Sequence, residues 1–346
     1  MIGVFQMKML ILMILENRFF YFLFLSIFLY ISCDQNKKTY TISGYTQGTT
    51  YHIKYHHFHE INKLDIDSLL MLIDMSMSMY VEKSIISLLN QGKDVKSDSL
   101  IRKVVDRSIE ICYETNGMFD ITVAPLVQYW GFGVDKSNKQ SSEPFNSSSY
   151  LLGCDKISII NDRIMKSDSV SIDLNGIAQG FSVDYIGDYL HHQHGVDDFM
   201  VEIGGEVRCV GTNSGNGWKI GIDKPTDKRN GFAYILKLNN TALATSGSYR
   251  NYYYVDSMKI NHTINPHTLE PTQNNLISAT VLYDNCMSAD AYATACMSFG
   301  FLRAKEFLQK KNISGCLIYV ENEDTLSYFS SNFSSFLHRS PGSAPQ

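Results

Sequence analysis

Two periodicities alternate along this chain. "TYTISGYTQGTTYHIKYHH", residues 39–57, sets aromatic or β-branched residues against polar ones about Gly44 and Gly48, which predicts two strands around a turn. "DIDSLLMLIDMSMSMYVEKSIISLLNQG" then spaces its apolar residues as a helix does, with Gly92 near the stop. "SDSLIRKVVDRSIEICYETNG" repeats that spacing, with Ser97 or Ser99 available as cap and Asn116-Gly117 at the end. "VSIDLNGIAQGFSVDYIGDYL" predicts a buried strand, a turn at Asn175-Gly176 and a helix. "DFMVEIGGEVRCVG" and "GWKIGIDKP" predict strands with glycine turns, and a strand-rich run extends to "NPHT". "SADAYATACMSFG", residues 288–300, predicts a closely packed helix; a second helix, "FLRAKEFLQKKN", and a final strand, "GCLIYV", follow. Helices and strands mix without a βαβ rhythm, which favours an α+β fold.

Composition narrows the class. The chain has 346 residues, 44% of them hydrophobic, enough for one large domain. A net charge of -5 gives no basic footprint, so nucleic acid is not an expected partner. At the N-terminus, Lys8 and Arg18 precede an apolar run ending in Ser32-Cys33, then "DQNKKTY". This is the layout of a secretory signal, and the cysteine after a small residue resembles a bacterial lipobox. An uncleaved anchor helix is the alternative, and both place the folded part outside the cytoplasm. The expected organisation is a signal over residues 1–33, a linker over 34–39, a domain over 40–338 with a Ser-rich surface loop at 135–149, and a flexible tail over 339–346. Cys209, Cys286 and Cys296 lie among apolar or small residues and are expected to be buried thiols. A disulfide is open in an oxidising compartment, with no partners chosen by the sequence. The histidine clusters "YHIKYHHFHE" and "HHQHG" are expected at the solvated surface.

Three stretches carry candidate chemistry. Asp290 and Thr294, four residues apart, share one helix face and offer hard oxygen ligands of the kind Mg²⁺ accepts. Spacing alone also allows an exposed Asp and a Thr that bonds back to its own helix. "IDLNGIAQG" breaks at Gly176 before a helix, and such a turn presents free N–H groups to phosphate. "NHTINPHT" places His262 and His267 where a strand gives way to a loop, where an imidazole could act as general base. "GMFDITVAPLVQYWGFG" is either a hydrophobic slot with a polar contact or a core turn, and "EIGGEVRCVG" a tight turn between strands. GxSxG, P-loop and GxGxxG patterns are absent.

Each motif is weak alone, but their order is specific. "TQGTTYHI", "NGMFDITVAPLV", "IDLNGIAQGFSVD", "VEIGGEVRCVG", "ATSGSYRNYY", "HTINPHT" and "SADAYATACMSFG" together resemble the ApbE family, the FAD:protein FMN transferases, over nearly the whole chain after Tyr40. The resemblance implies a single mixed α/β domain of that type. It also implies an Mg²⁺-dependent transfer of FMN from FAD to a Thr or Ser hydroxyl of an acceptor protein, with AMP released. The implied acceptor is a flavoprotein with a Thr-containing motif, such as a subunit of a membrane redox complex. The implied location is the cell membrane, through a lipid anchor facing the periplasm or exterior. Gly176, Asp290 and Thr294 would hold the metal, and His262 would be the base. Gln47, Tyr80, Met118, Phe119, Asp120, Asp173 and Gln179 would contact FAD. Three positions depart from the family pattern: Gln47 stands where Met is usual, Gln179 where Lys is frequent, and Met287 where some members carry an acid. With water as nucleophile the same site would hydrolyse FAD to FMN and AMP; a catalytically silent flavin-binding lipoprotein would release nothing.

Overall fold

The opening alternation folds as β1 (Lys38–Thr46) and β2 (Thr49–His57), joined by Gln47-Gly48. Both turn residues have positive φ, +51° and +74°, the form whose twist suits a two-residue hairpin. The computed structural model describes residues 37–134, 152–226, 231–249, 251–255 and 258–338. The expected signal with Cys33, the first half of the linker, the loop at 135–149 and the tail lie outside the described residues.

Helix α1 is Lys63–Met77 and α2 is Ile85–Asn90, where the apolar spacing predicted one helix. Serine chemistry makes the break. The Ser84 hydroxyl donates to the Ser78 carbonyl at 2.7 Å and accepts from the Ser87 amide at 3.1 Å, so it closes the loop and caps α2. Helix α3, Ser99–Glu114, forms as expected, but its cap is Asp98, whose carboxylate accepts from the Ile101 amide at 2.9 Å. Ser97 instead donates to Asp162 O. The short α4 (Ala124–Tyr129) precedes the hairpin β3 (Ile157–Ile160) and β4 (Arg163–Lys166).

Residues 170–174 are largely buried, but the predicted strand does not form there. Their backbone is paired by a side chain and a loop: Asn90 bonds both the amide and the carbonyl of Ile172 at 2.8 Å, and the Asp173 amide reaches Ile121 O at 2.7 Å. Helix α5 (Ala178–His194) follows, then β5 (Phe199–Ile203), β6 (Glu206–Val210), β7 (Trp218–Asp223), β8 (Phe232–Leu238) and β9 (Thr241–Gly247). Next come β10 (Tyr252–Val255), β11 (Met258–Asn261), β12 (Ile264–Asn265), β13 (Glu270–Pro271) and β14 (Leu276–Tyr283). The chain closes with α6 (Cys286–Phe299), α7 (Phe301–Lys311), β15 (Ser314–Glu321) and β16 (Asp324–Phe329), one strand more than expected.

Eight strands form the main sheet in the order β1-β2-β5-β6-β9-β14-β15-β16. Its two faces follow from the two-residue period. Tyr51, Ile53 and Tyr55 on β2, with Phe199, Val201 and Ile203 on β5, pack against α1 and α5. The intervening residues face the β7–β8 hairpin, which covers Val207, Cys209, Leu243 and Leu282 with Trp218, Leu236 and Leu238. His56 lies on that covered face. It is buried, bonds Thr39 and Asn213 at 2.9 Å each, and packs on Trp218, contrary to the expectation of a solvated cluster.

The predicted thiols Cys209, Cys286 and Cys296 are buried and free, as is Cys316. Cys112 and Cys154 form a disulfide that ties the end of α3 to the segment leading into β3.

Candidate active site

Helix α6 positions the site because it has no wet face. Ala289, Ala291, Ala293 and Ala295 are all fully buried. They let the helix lie close to Ala244 on β9 and to Ala279 and Val281 on β14. Its start is fixed from α5: the Asp184 carboxylate accepts the Cys286 and Met287 amides at 3.0 and 2.8 Å. Asn285 caps by accepting from the Ser288 amide.

The two helices meet at glycine. A Cβ on Gly180 would lie 2.4 Å from Cys286 O and 2.8 Å from the Asp290 Cβ, so only glycine fits there. The Gly180 amide, among the free donors of the first turn of α5, reaches Asp290 Oδ2 at 3.1 Å. One turn earlier, a Cβ on Gly176 would stand 3.1 Å from both Oγ1 and Cγ2 of Thr294 and 3.3 Å from the Phe119 ring. Gly176, Asp290, Thr294 and Phe119 therefore converge where the turn before α5 crosses α6. On β9, the Ser246 hydroxyl lies 3.3 Å from Thr294 Oγ1.

Burial shapes the charge at this point. Asp290 is 5% exposed, and loss of water raises its pKa to about 7 against the pull of the Gly180 amide. Among the described residues no three His, Cys, Asp or Glu side chains cluster as metal ligands, so a cation here draws on hydroxyl and backbone oxygen as well. A buried carboxylate, a hydroxyl and a carbonyl-bearing turn that a Cβ would fill make an oxygen-rich cradle that fits a hard divalent ion.

The other expected contacts ring this point unevenly. The Gln47 amide donates to Ser182 Oγ at 2.7 Å on α5, and Gln179 packs against Gly204 in the β5–β6 turn. Asp173 is buried, which raises its pKa to about 6, and its carboxylate accepts from the Asn175 amide at 2.8 Å. Tyr80 sits on the loop between α1 and α2, 59% exposed, and its phenol is pushed up by burial of the hydroxyl end and by the Asp173 charge. Met118 and Phe119 are buried. Asp120 lines a cavity of about 410 Å³ with His267, Tyr113 and the Cys112–Cys154 bridge, and its carboxylate accepts from the Thr122 amide and hydroxyl. His262, between β11 and β12, is set by its backbone neighbours: Nδ1 lies 3.2 Å from Asn251 O and the ring packs edge-on to Phe132. Among the described residues no hydrogen bond or ion pair joins it to Asp290 or Thr294. The link is Ser298, one turn beyond Thr294, whose hydroxyl lies 3.4 Å from Ile264 O. The sequence does not single out Ser246, because it sits in a strand whose facing direction only the sheet reveals.

The ApbE family model matches residues 47–318. An FAD:protein FMN transferase of Vibrio cholerae serotype O1 is 34% identical over 326 residues, covering 91% of this chain and 97% of the relative. The Haemophilus influenzae protein of the same name is 33% identical, over 87% of this chain and 92% of its own. Among solved structures, the flavin transferase ApbE from Vibrio cholerae superposes with a TM-score of 0.76 at 32% identity, covering 87% of this chain and 100% of the other. The apo flavinyl transferase ApbE of Pseudomonas stutzeri gives 0.77 at 27% identity, covering 87% and 97%.

Proposed function

This chain belongs to the ApbE family, and from that membership we infer that it is an FAD:protein FMN transferase, an enzyme that moves the FMN half of FAD onto an acceptor protein. The observation that carries the site is the convergence of Gly176 from one motif with Asp290 and Thr294 from another, more than a hundred residues away. We propose that these three hold Mg²⁺ through a backbone carbonyl, a carboxylate and a hydroxyl. Bound there, the ion would neutralise charge on the FAD pyrophosphate, the main requirement of phosphoryl transfer. Gln47, Tyr80, Met118, Phe119, Asp120, Asp173 and Gln179 then provide the surroundings for FAD.

His262 is suited to be the base. Burial lowers its pKa, so the ring is neutral at pH 7, and the Asn251 carbonyl beside Nδ1 favours the tautomer that leaves Nε2 free. It would take the proton from an acceptor Thr or Ser hydroxyl, whose oxygen bonds to the FMN-side phosphorus as AMP leaves. The test is incubation with FAD, Mg²⁺ and a Thr-containing acceptor domain, followed by intact-mass analysis. Covalent FMN on the acceptor supports transfer. AMP released equally with and without acceptor would make the enzyme a hydrolase instead.

We further propose that Cys33 carries a lipid anchor and that the domain faces the periplasm or exterior, with an acceptor in a membrane redox complex. The charged, apolar and Ser32-Cys33 series supports this, as does a disulfide of the kind that persists in oxidising compartments. Cys33→Ala should abolish radiolabelled palmitate incorporation; unchanged labelling would refute the anchor site.

A further inference from the structure

Glu206 opens β6 directly after the Gly204-Gly205 turn. It is only 6% exposed, and its Oε2 has no hydrogen-bond partner. An acid that is buried and unpaired costs stability, so its presence calls for a ligand or a role. Strand alternation tells where it points. Val207 and Cys209 face the β7–β8 hairpin, so Glu206 and Arg208 face the helices. Arg208 confirms the direction by reaching α5, where Nη1 donates to Asp188 at 2.8 Å and to Asp184 at 3.4 Å. That guanidinium is committed to those two acids, and among the described residues no ion pair reaches Glu206.

Two residues before Arg208, Glu206 lies beneath the N-terminal turn of α5. Gln179 packs on Gly204, two residues before Glu206, and the residue after Gln179, Gly180, donates its amide to Asp290. Asp290 is the acid whose charge Glu206 feels most strongly. We propose that Glu206 is a fourth element of the cation site, a second carboxylate that faces Asp290 across the first turn of α5 and balances a divalent ion before FAD binds. The charge count supports this: Asp290 alone would leave a buried divalent ion with one uncompensated charge, and two carboxylates remove it. Glu206 is a positioning residue in this account, acting on the ion and on Asp290 and not on the phosphorus.

The proposal rests on Asp290 as a cation ligand, and the experiment separates the two claims. Mn²⁺ binding to the full chain without FAD is followed by electron paramagnetic resonance at pH 8, for wild type, Glu206→Gln and Asp290→Asn. Glu206→Gln should weaken Mn²⁺ roughly 10–100-fold, the range typical of partners that support a metal ligand. In chelator it should melt at or above the wild-type temperature, because the amide relieves two facing acids. Wild-type Mn²⁺ affinity in Glu206→Gln, with Asp290→Asn impaired, would overturn the Glu206 role alone. Wild-type affinity in Asp290→Asn would overturn the cation site itself. A Glu206→Gln protein that melts well below wild type in chelator would show a structural acid and also overturn the proposal.

Discussion

Gly180→Ala tests whether the α5–α6 contact builds the site. The added Cβ would lie 2.4 Å from the Cys286 carbonyl oxygen and 2.8 Å from the Asp290 Cβ. Both obstacles belong to the backbone or base of α6 and cannot swing aside, so the helices must part by about 1 Å to restore van der Waals contact. Overpacking of this kind costs about 3 kcal/mol at its upper range, which lowers Tm by roughly 6 °C in a domain of this size. A 1 Å misplacement near reacting atoms costs about 10²-fold in turnover, and Mg²⁺ tolerates far less than that in its oxygen distances. Gly195→Ala is the matched control. It ends α5 with φ of +66° and open space around it, so it should cost about 1 kcal/mol through backbone conformation alone and leave turnover intact. Calorimetry, Mg²⁺ titration and AMP release, measured on both variants, give the answer. A folded Gly180→Ala enzyme with wild-type cation affinity and kcat/KM would refute the reasoning.

Other consequences follow from the same geometry. His262→Ala should lower turnover by about 10²–10⁴-fold while FAD affinity, measured by flavin fluorescence quenching, stays at the wild-type value; equal losses in both would make His262 a binding residue. Asp290 has a folded pKa of about 7 against an ordinary 3.8, so the native state holds a proton that the unfolded chain releases. The resulting stability is complete below pH 4 and is lost as pH rises through 7. Urea midpoints of the metal-free protein should fall across that window, and Asp290→Asn should flatten that part of the fall. Mg²⁺ must displace the same proton, so its affinity should climb until about pH 7 and then level off. The Cys112–Cys154 bridge closes a separation of 42 residues, for which chain entropy gives about 4 kcal/mol; Cys112→Ser should lower the urea midpoint accordingly, and a midpoint unchanged by substitution or reductant would contradict it.

Much of this arrangement is legible in the sequence because it is local. The alanines of "SADAYATACMSFG" favour a helix, Gly300 ends it, and the four-residue spacing puts Asp290 and Thr294 on one face. What the sequence leaves open is long-range. Gly176 and Thr294 are separated by more than a hundred residues, and their meeting depends on the fit of Gly180 against Cys286, which no periodicity encodes. The helix break at residues 78–84 escaped because apolar spacing continues through it, while the Ser78 and Ser84 bonds that cause it are invisible to a hydrophobic count. His56 and Glu206 escaped for a shared reason. Alternation along a strand sorts residues into two faces but cannot say that the β7–β8 hairpin covers one and two helices the other.

The most direct measurement sets wild type beside Asp290→Ala, each incubated with FAD, Mg²⁺ and the same Thr-containing acceptor domain, and reads covalent flavin on the acceptor by in-gel fluorescence and intact mass. The expected result is Mg²⁺-dependent labelling by wild type, abolished by chelator and absent from Asp290→Ala. Labelling by Asp290→Ala at the wild-type rate would contradict the placement of the reaction at the α5–α6 crossing.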